Sequence, residues 1–310
     1  MPRPKAFRNG EARPFLKWAG GKRQLLDELV ARVPREIGTY HEPFLGGGAL
    51  FFRLRTLRRF QRAHLSDVNP ELINAWRSVQ LGLGNLLEEL ERLAERTLED
   101  DYYAIRALDP AALTRAQRAA RLIYLNKTGF NGLYRENRKG IFNVPYGHNS
   151  APRVLDRENL LAVSQALAGT GVELEQAPFS AVLERAQPGD FVYFDPPYVP
   201  LSASSSFTDY SRDGFGVNGQ RELARVAREL AGRGVEVLLS NSSAPLVYEL
   251  YRGKGFQIEE ITALRAINCK GEGRGAVKEL LIRAHSGSPK ARSARASGRQ
   301  LRIDFGRGAG

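Results

Sequence analysis

Two spacings of apolar residues alternate along the chain. After Gly20-Gly21, the residues Leu25, Leu26, Leu29 and Val33 recur at helical intervals and predict a first helix. Ile37 to Phe44 reads as extended and ends in Gly46-Gly47-Gly48, where a strand turns into a helix beginning with the apolar Ala49-Leu50-Phe51-Phe52. Ala63 to Asp67 predicts a short strand that stops at Asn69-Pro70, and Glu71 to Leu81 resumes helical spacing. Leu86, Leu87, Leu90, Leu93, Ala94 and Leu98 form one apolar face with glutamates opposite. This acidic run therefore reads as the wet side of an amphipathic helix.

A further amphipathic helix is predicted from Arg115 to Leu125, running into an irregular polar stretch from Asn126 to Arg135. Beyond Leu155, strands are expected near 172–176, 190–194 and 235–240, with a helix over 219–231. A hairpin-like pair is expected over 256–264 and 277–284. Strands alternating with helices predict an α/β fold with a Rossmann-like, mainly parallel sheet. Region 76–159 lacks that rhythm and is expected to be an inserted, mostly helical domain. Residues 1–75 and 160–285 would then form one α/β domain around it. Ser, Gly, Ala and Arg dominate 286–310, which predicts a basic disordered tail.

Composition narrows the class. With 310 residues, 42% hydrophobic and 26% charged, the chain can bury a sizeable core and is not mainly disordered. No apolar run approaches the ~18 residues of a membrane span. The basic start also lacks the apolar stretch of a secretory signal, so a cytoplasmic protein is expected, with no membrane partner. A single cysteine, Cys269, excludes an internal disulfide framework. Together with four scattered histidines it argues against a zinc site, and no metal is expected.

Charge adds a partner. The net charge is +12, and residues 117–157 hold eight basic against two acidic side chains. The tail 286–310 holds six against one, whereas 86–101 holds two against seven. A local basic excess attracts polyanions, which nominates nucleic acid without choosing between DNA and RNA.

Three motifs carry chemistry. In Glu42-Pro43-Phe44-Leu45-Gly46-Gly47-Gly48, glycines let the backbone approach a ligand where helix-start amides can meet polar groups. Asp67 follows Gly46 by 21 residues, a spacing that suits a carboxylate accepting from ribose hydroxyls. Phe51 replaces the third glycine of a dinucleotide fingerprint, so an adenosine ligand is favoured over a pyrophosphate. Ala19-Gly20-Gly21-Lys22 lacks the flanking residues of a phosphate-binding loop, having Leu16 and Arg23 there. Trp18 and Lys22 flank that turn and could instead pack on and contact a nucleoside.

The strongest motif is Phe191-Val192-Tyr193-Phe194-Asp195-Pro196-Pro197-Tyr198. A strand ends in an acid, two prolines that cannot continue a ladder, and an aromatic ring. Rigid acceptors beside a ring suit an exocyclic amino group on a planar base. Catalysis is therefore expected from Asp195, Pro196, Pro197 and Tyr198.

These motifs, with Asp67-Val68-Asn69, Asn131-Gly132-Leu133-Tyr134-Arg135 and Phe142-Asn143-Val144-Pro145-Tyr146-Gly147, stand in an order that resembles the Dam-type, alpha-class (D12) DNA adenine-N6 methyltransferases. The likeness runs from about residue 13 to 284, and Phe207-Thr208-Asp209-Tyr210 and Ser240-Asn241 also resemble that family. The resemblance implies S-adenosyl-L-methionine as cofactor, with S-adenosyl-L-homocysteine as product. Trp18, Lys22, Asp67 and Asp195 would contact it, and Glu42, Phe44, Gly46 and Gly48 of the glycine turn join that expected set. It implies DNA reading by Lys17, Asn131, Leu133, Arg135 and Pro145, with GATC as target. Phe130 stands where the family often has a tyrosine inserted beside a flipped base, so stacking would persist without the hydroxyl. The glycine turn reads Gly-Gly-Gly where the family often has Gly-Ala-Gly.

Duplex DNA is the expected partner, a monomer the expected state, and a cognate restriction endonuclease a candidate associate. Amino-methylation of RNA or of a protein glutamine is the main rival, because the same turn serves any planar amide or amine. A zinc deaminase would need cysteines the chain lacks. An oxidoreductase gives no reason for the Asp-Pro-Pro-Tyr turn, and a non-catalytic DNA-binding module leaves it unused.

Overall fold

A computed structural model describes residues 7–8, 10–22, 24–96, 98–149, 151–169, 171–201, 215–264 and 276–284. The described residues begin with α1 (Leu26–Arg32), β1 (Thr39–Glu42), α2 (Ala49–Thr56), β2 (Arg62–Asp67) and α3 (Pro70–Leu81). Next come α4 (Leu83–Ala94), α5 (Glu99–Ala107), α6 (Arg115–Thr128) and α7 (Arg157–Leu167). The second half holds β3 (Val172–Gln176), α8 (Val182–Arg185), β4 (Phe191–Phe194), α9 (Val217–Gly232), β5 (Glu236–Ser242), α10 (Pro245–Tyr251), β6 (Phe256–Leu264) and β7 (Ala276–Ala284).

The strands form one seven-stranded sheet in the order β3-β2-β1-β4-β5-β7-β6. The first five in that order are parallel, while β7 runs antiparallel to both β5 and β6. The expected mainly parallel α/β sheet is therefore present. All four residues of β4 are buried, because helices cover both faces. Phe191 and Tyr193 join Tyr40 in one core, whereas Val192 and Phe194 pack with Leu223, Val226 and Leu230 of α9 in the other.

Helices α3, α6 and α7 begin at side chains that cap them. The Asn69 side chain accepts from the Leu72 amide at 2.9 Å, and Thr114 with Gln117 forms a reciprocal cap on α6. Helix α3 crosses position 76 without a break, setting Trp76 between Phe15 and Phe52 with ring centres 5.1 and 5.4 Å away.

Two expectations change. Leu98 does not share the apolar face of Leu86 to Ala94: it is 71% exposed and leads into α5. Glu99, Asp100 and Asp101 sit in the first turn of α5, where the helix dipole favours acids, so the acidic run serves two helices. Helix α6 also extends through Asn126-Lys127-Thr128. Those residues look like loop because they are polar, yet Asn126 and Thr128 are buried, and Thr128 Oγ1 donates to the Tyr124 carbonyl at 2.7 Å.

Candidate active site

Because β1, β2, β4 and β5 are parallel, Glu42, Asp67, Asp195 and Ser240-Asn241 all arrive at one edge of the sheet. The connections leave β1 toward β2 and leave β4 toward β5. The crevice between β1 and β4 is thus the switch point at which such sheets bind ligands.

Asp195 stands directly after β4. Its Oδ1 lies 2.7 Å from Lys22 Nζ and accepts from Ser240 Oγ at 3.3 Å. Lys22 is only 6% exposed, also donates to the Gly20 carbonyl at 2.6 Å, and lies 4.6 Å from the centre of the Tyr198 ring. Burial pushes the Asp195 carboxyl up from its usual range, and the Lys22 ammonium opposes that rise. The Tyr198 hydroxyl donates to Glu279 Oε2 at 2.8 Å, and burial beside Asp195 holds it well above its ordinary pKa.

The proline turn is braced from behind. Gln220 of α9 donates to the Pro197 carbonyl at 2.8 Å, and the Asn241 side chain donates to Gln220 at 3.0 Å. Asn241 in turn accepts from the Val199 amide at 3.2 Å. Pro196 is buried and Pro197 exposed. The sequence reading did not single out Gln220, Tyr193 or Glu279. Gln220 had a signal: an amide at the same helical phase as Leu223, Ala224 and Ala227, hence on the buried face.

The glycine turn folds against tryptophans. Asp67 accepts from the Gly46 amide at 3.1 Å and from the Asn69 amide at 3.0 Å. Gly48 caps α2 in the left-handed region, at φ 64°, where an added Cβ would lie 2.6 Å from Trp76. A Cβ on Gly46 would meet Trp18 at 2.9 Å. Trp18 stacks on Tyr134 at 5.3 Å, linking this turn to the loop after α6. Phe44 packs with Phe179 and Phe215, with ring centres 5.3 and 5.4 Å away. Glu42 is 3% exposed and its carboxyl accepts from the Tyr40 hydroxyl at 2.8 Å. Burial, with Asp195 and Asp67 adding to it, pushes Glu42 up to about 8.

The residues expected to read DNA gather around the end of α6. The buried Asn126 side chain accepts from the Lys17 amide and donates to the Lys17 and Gly132 carbonyls, at 2.8, 2.7 and 2.8 Å. Phe130 follows and is 42% exposed, its amide donating to the Pro145 carbonyl at 2.9 Å. Asn131 adopts φ 54°, and Leu133 is half-buried. Arg135 Nε donates to Asn143 Oδ1 at 2.8 Å. Lys127, which the sequence reading passed over, is pushed down to about 8 by burial, with Lys17 adding to the effect. Among the described residues no group of three His, Cys, Asp or Glu could hold a metal ion. Phe207-Thr208-Asp209-Tyr210, Cys269 and the tail 286–310 lie outside the described residues.

The family model described as D12 class N6 adenine-specific DNA methyltransferase matches residues 18–267. The chain is 40% identical over 274 residues to the Type II methyltransferase M1.LlaDCHI of Lactococcus lactis subsp. cremoris, covering 87% of this chain and 94% of that protein. It is 40% identical over 289 residues to the Type II methyltransferase M.MjaIII of Methanocaldococcus jannaschii, covering 88% and 99%. A DNA adenine methylase of Vibrio cholerae is 36% identical over 272 residues, covering 87% and 95%.

Proposed function

The chain belongs to the D12 class of N6 adenine-specific DNA methyltransferases, and from that premise we propose that it methylates an adenine flipped out of duplex DNA, within GATC, using S-adenosyl-L-methionine. The observation that carries this reading is the Lys22–Asp195–Tyr198 cluster at the switch point. A cation there already occupies a carboxylate and faces a ring, the two contacts a base amino group would make.

The residues present fit the cofactor. Asp67 is fixed by two amides and retains acceptor capacity for ribose hydroxyls. Phe44 with its aromatic neighbours offers apolar surface to a purine, and Glu42 and Asp195 offer carboxyls to a cation. When bound, S-adenosyl-L-methionine supplies an electrophilic methyl group on a sulfonium and is left as S-adenosyl-L-homocysteine.

The chain's own residues do the rest. The Asp195 carboxylate and the Pro196 carbonyl accept both hydrogens of the adenine amino group, while Lys22 stays at Oδ1 as the counter-charge. That aims the nitrogen lone pair at the methyl, and fixed acceptors stabilise the positive charge that grows on nitrogen. Tyr198 stacks on the base and offsets part of the few kcal/mol that flipping costs. Residues 76–159, with Lys17, supply DNA reading and backbone attraction, while 1–75 and 160–285 hold the cofactor. The Asn126 side chain holds the Lys17 backbone, and the Phe130 amide meets the Pro145 carbonyl, which supports grouping these residues in one reading surface. The protein acts as a cytoplasmic monomer in this reading.

Labelled-methyl transfer to two duplexes, one with a central GATC and one scrambled, tests the proposal. Transfer to GATC alone, recovered as N6-methyladenine, is the expected result. Transfer to both removes the sequence assignment, and transfer only to RNA or to a protein glutamine overturns the substrate.

A further inference from the structure

Glu42 ends β1, and its side chain is buried where β1 meets β4. The Tyr40 hydroxyl, two residues earlier on the same strand, donates to its Oε2 at 2.8 Å.

The groups around this carboxyl are unfavourable to its charge. Asp195 after β4 and Asp67 at the end of β2 are both acidic, while Tyr40 on β1 and Tyr193 on β4 are phenols held far above their ordinary pKa by burial. Lys22 is engaged by Asp195, and among the described residues no salt bridge includes Glu42. Burial with like charges and no paired cation favours keeping a proton, and Glu42 is accordingly pushed up to about 8.

We infer that Glu42 holds a proton in the ligand-free enzyme and loses it when a sulfonium cation enters the crevice, so that the site grips the charged methyl donor and loosens on the neutral thioether product. The carboxyl O–H bond breaks, the electron pair stays on the carboxylate, and the proton passes to buffer. Protonation after methyl transfer reverses the step. This inference rests on the methyl-donor reading above and adds to it a means of telling donor from product. Glu42 acts here through the charge of its carboxyl.

Calorimetry on the full chain at pH 8, in two buffers of different ionisation enthalpy, counts the protons released on binding S-adenosyl-L-methionine and S-adenosyl-L-homocysteine. A group titrating near that pH and fully ionised on binding releases about half a proton. Wild type is expected to release about that much more than Glu42→Gln with the sulfonium, and the same as Glu42→Gln with the thioether. The ligand's own amino group titrates in both proteins and cancels in that difference. Tyr40→Phe is the second variant, since it removes a hydrogen bond that favours the ionised carboxyl. It should move the pH of half-maximal proton release upward. Both ligands binding with equal proton counts in wild type and Glu42→Gln, or an unmoved midpoint in Tyr40→Phe, overturns the inference alone. Failure of either ligand to bind wild type overturns the methyl-donor reading, and the inference with it.

Discussion

The buried Lys22 and the half-buried Asp195 form an ion pair, with Nζ 2.7 Å from Oδ1 and the ammonium 4.6 Å from the centre of the Tyr198 ring. One cation thus bridges both side chains assigned to the target base. Removing it leaves the Asp195 carboxyl with burial and Glu279 pushing its pKa up and its main opposing charge gone. Lys22→Met should therefore move the acid limb of single-turnover methyl transfer to higher pH. The rate at pH 7 should fall on the order of 10²-fold, the scale of losing a correctly ionised group. An acid limb at the wild-type pH would show that Lys22 does not set the charge of Asp195.

Tyr198 separates ring from hydroxyl. Tyr198→Phe loses the bond to Glu279, worth about 1 kcal/mol, and keeps the face. Tyr198→Ala loses stacking worth ~1–3 kcal/mol per base. Transfer by the phenylalanine variant should stay within about tenfold of wild type, and the alanine variant should fall well below it, while Asp195→Ala abolishes transfer with cofactor affinity only moderately reduced. Equal losses in Phe and Ala would give the hydroxyl a chemical role.

Arg135 carries its guanidinium on an exposed loop, tied to Asn143 through Nε at 2.8 Å. That bond sets the plane of the fork before any DNA arrives. Arg135→Ala should relax discrimination at one base pair by ~1–3 kcal/mol if the fork meets a guanine edge. Competition between single-mismatch duplexes measures it. An equal loss on every duplex, with a shallower salt dependence, would make Arg135 a phosphate contact instead.

The parallel sheet and its edge were legible because buried strands and their stop signals are local. Phe191 to Phe194 is uniformly apolar and ends in prolines, and it becomes a strand covered on both faces. The ordered motifs likewise led to residues that meet at one crevice although Lys22 and Asp195 are 173 positions apart. What local pattern does not carry is the partner of a polar residue. Asn126 and Thr128 resembled loop because nothing in the sequence says that Lys17 and Gly132 will satisfy the asparagine inside the fold. Nor does the sequence say that β7 will bring Glu279 to the Tyr198 hydroxyl. Leu98 continued an apolar spacing across a helix end that only the acidic first turn of α5 explains.

Glu42 makes stability depend on pH in a direction opposite to that of an ordinary salt-bridged acid. Its folded pKa is raised to about 8 from the usual 4.5 of a glutamate, so between those two pH values the native state holds a proton that the unfolded chain has released. Stability contributed by the neutral carboxyl is fully present below pH 4.5 and is lost as pH rises toward 8. The limiting slope is about 1.4 kcal/mol per pH unit for one proton. Glu42→Gln keeps a neutral side chain of similar shape and lacks this titration. Denaturant melts of both proteins at pH 5, 6, 7, 8 and 9 should show wild type losing ground to Glu42→Gln up to pH 8 and running parallel beyond it. The opposite trend, with wild type gaining as pH rises, would mean that hydrogen bonding to an ionised Glu42 stabilises the fold more than burial of its charge penalises it.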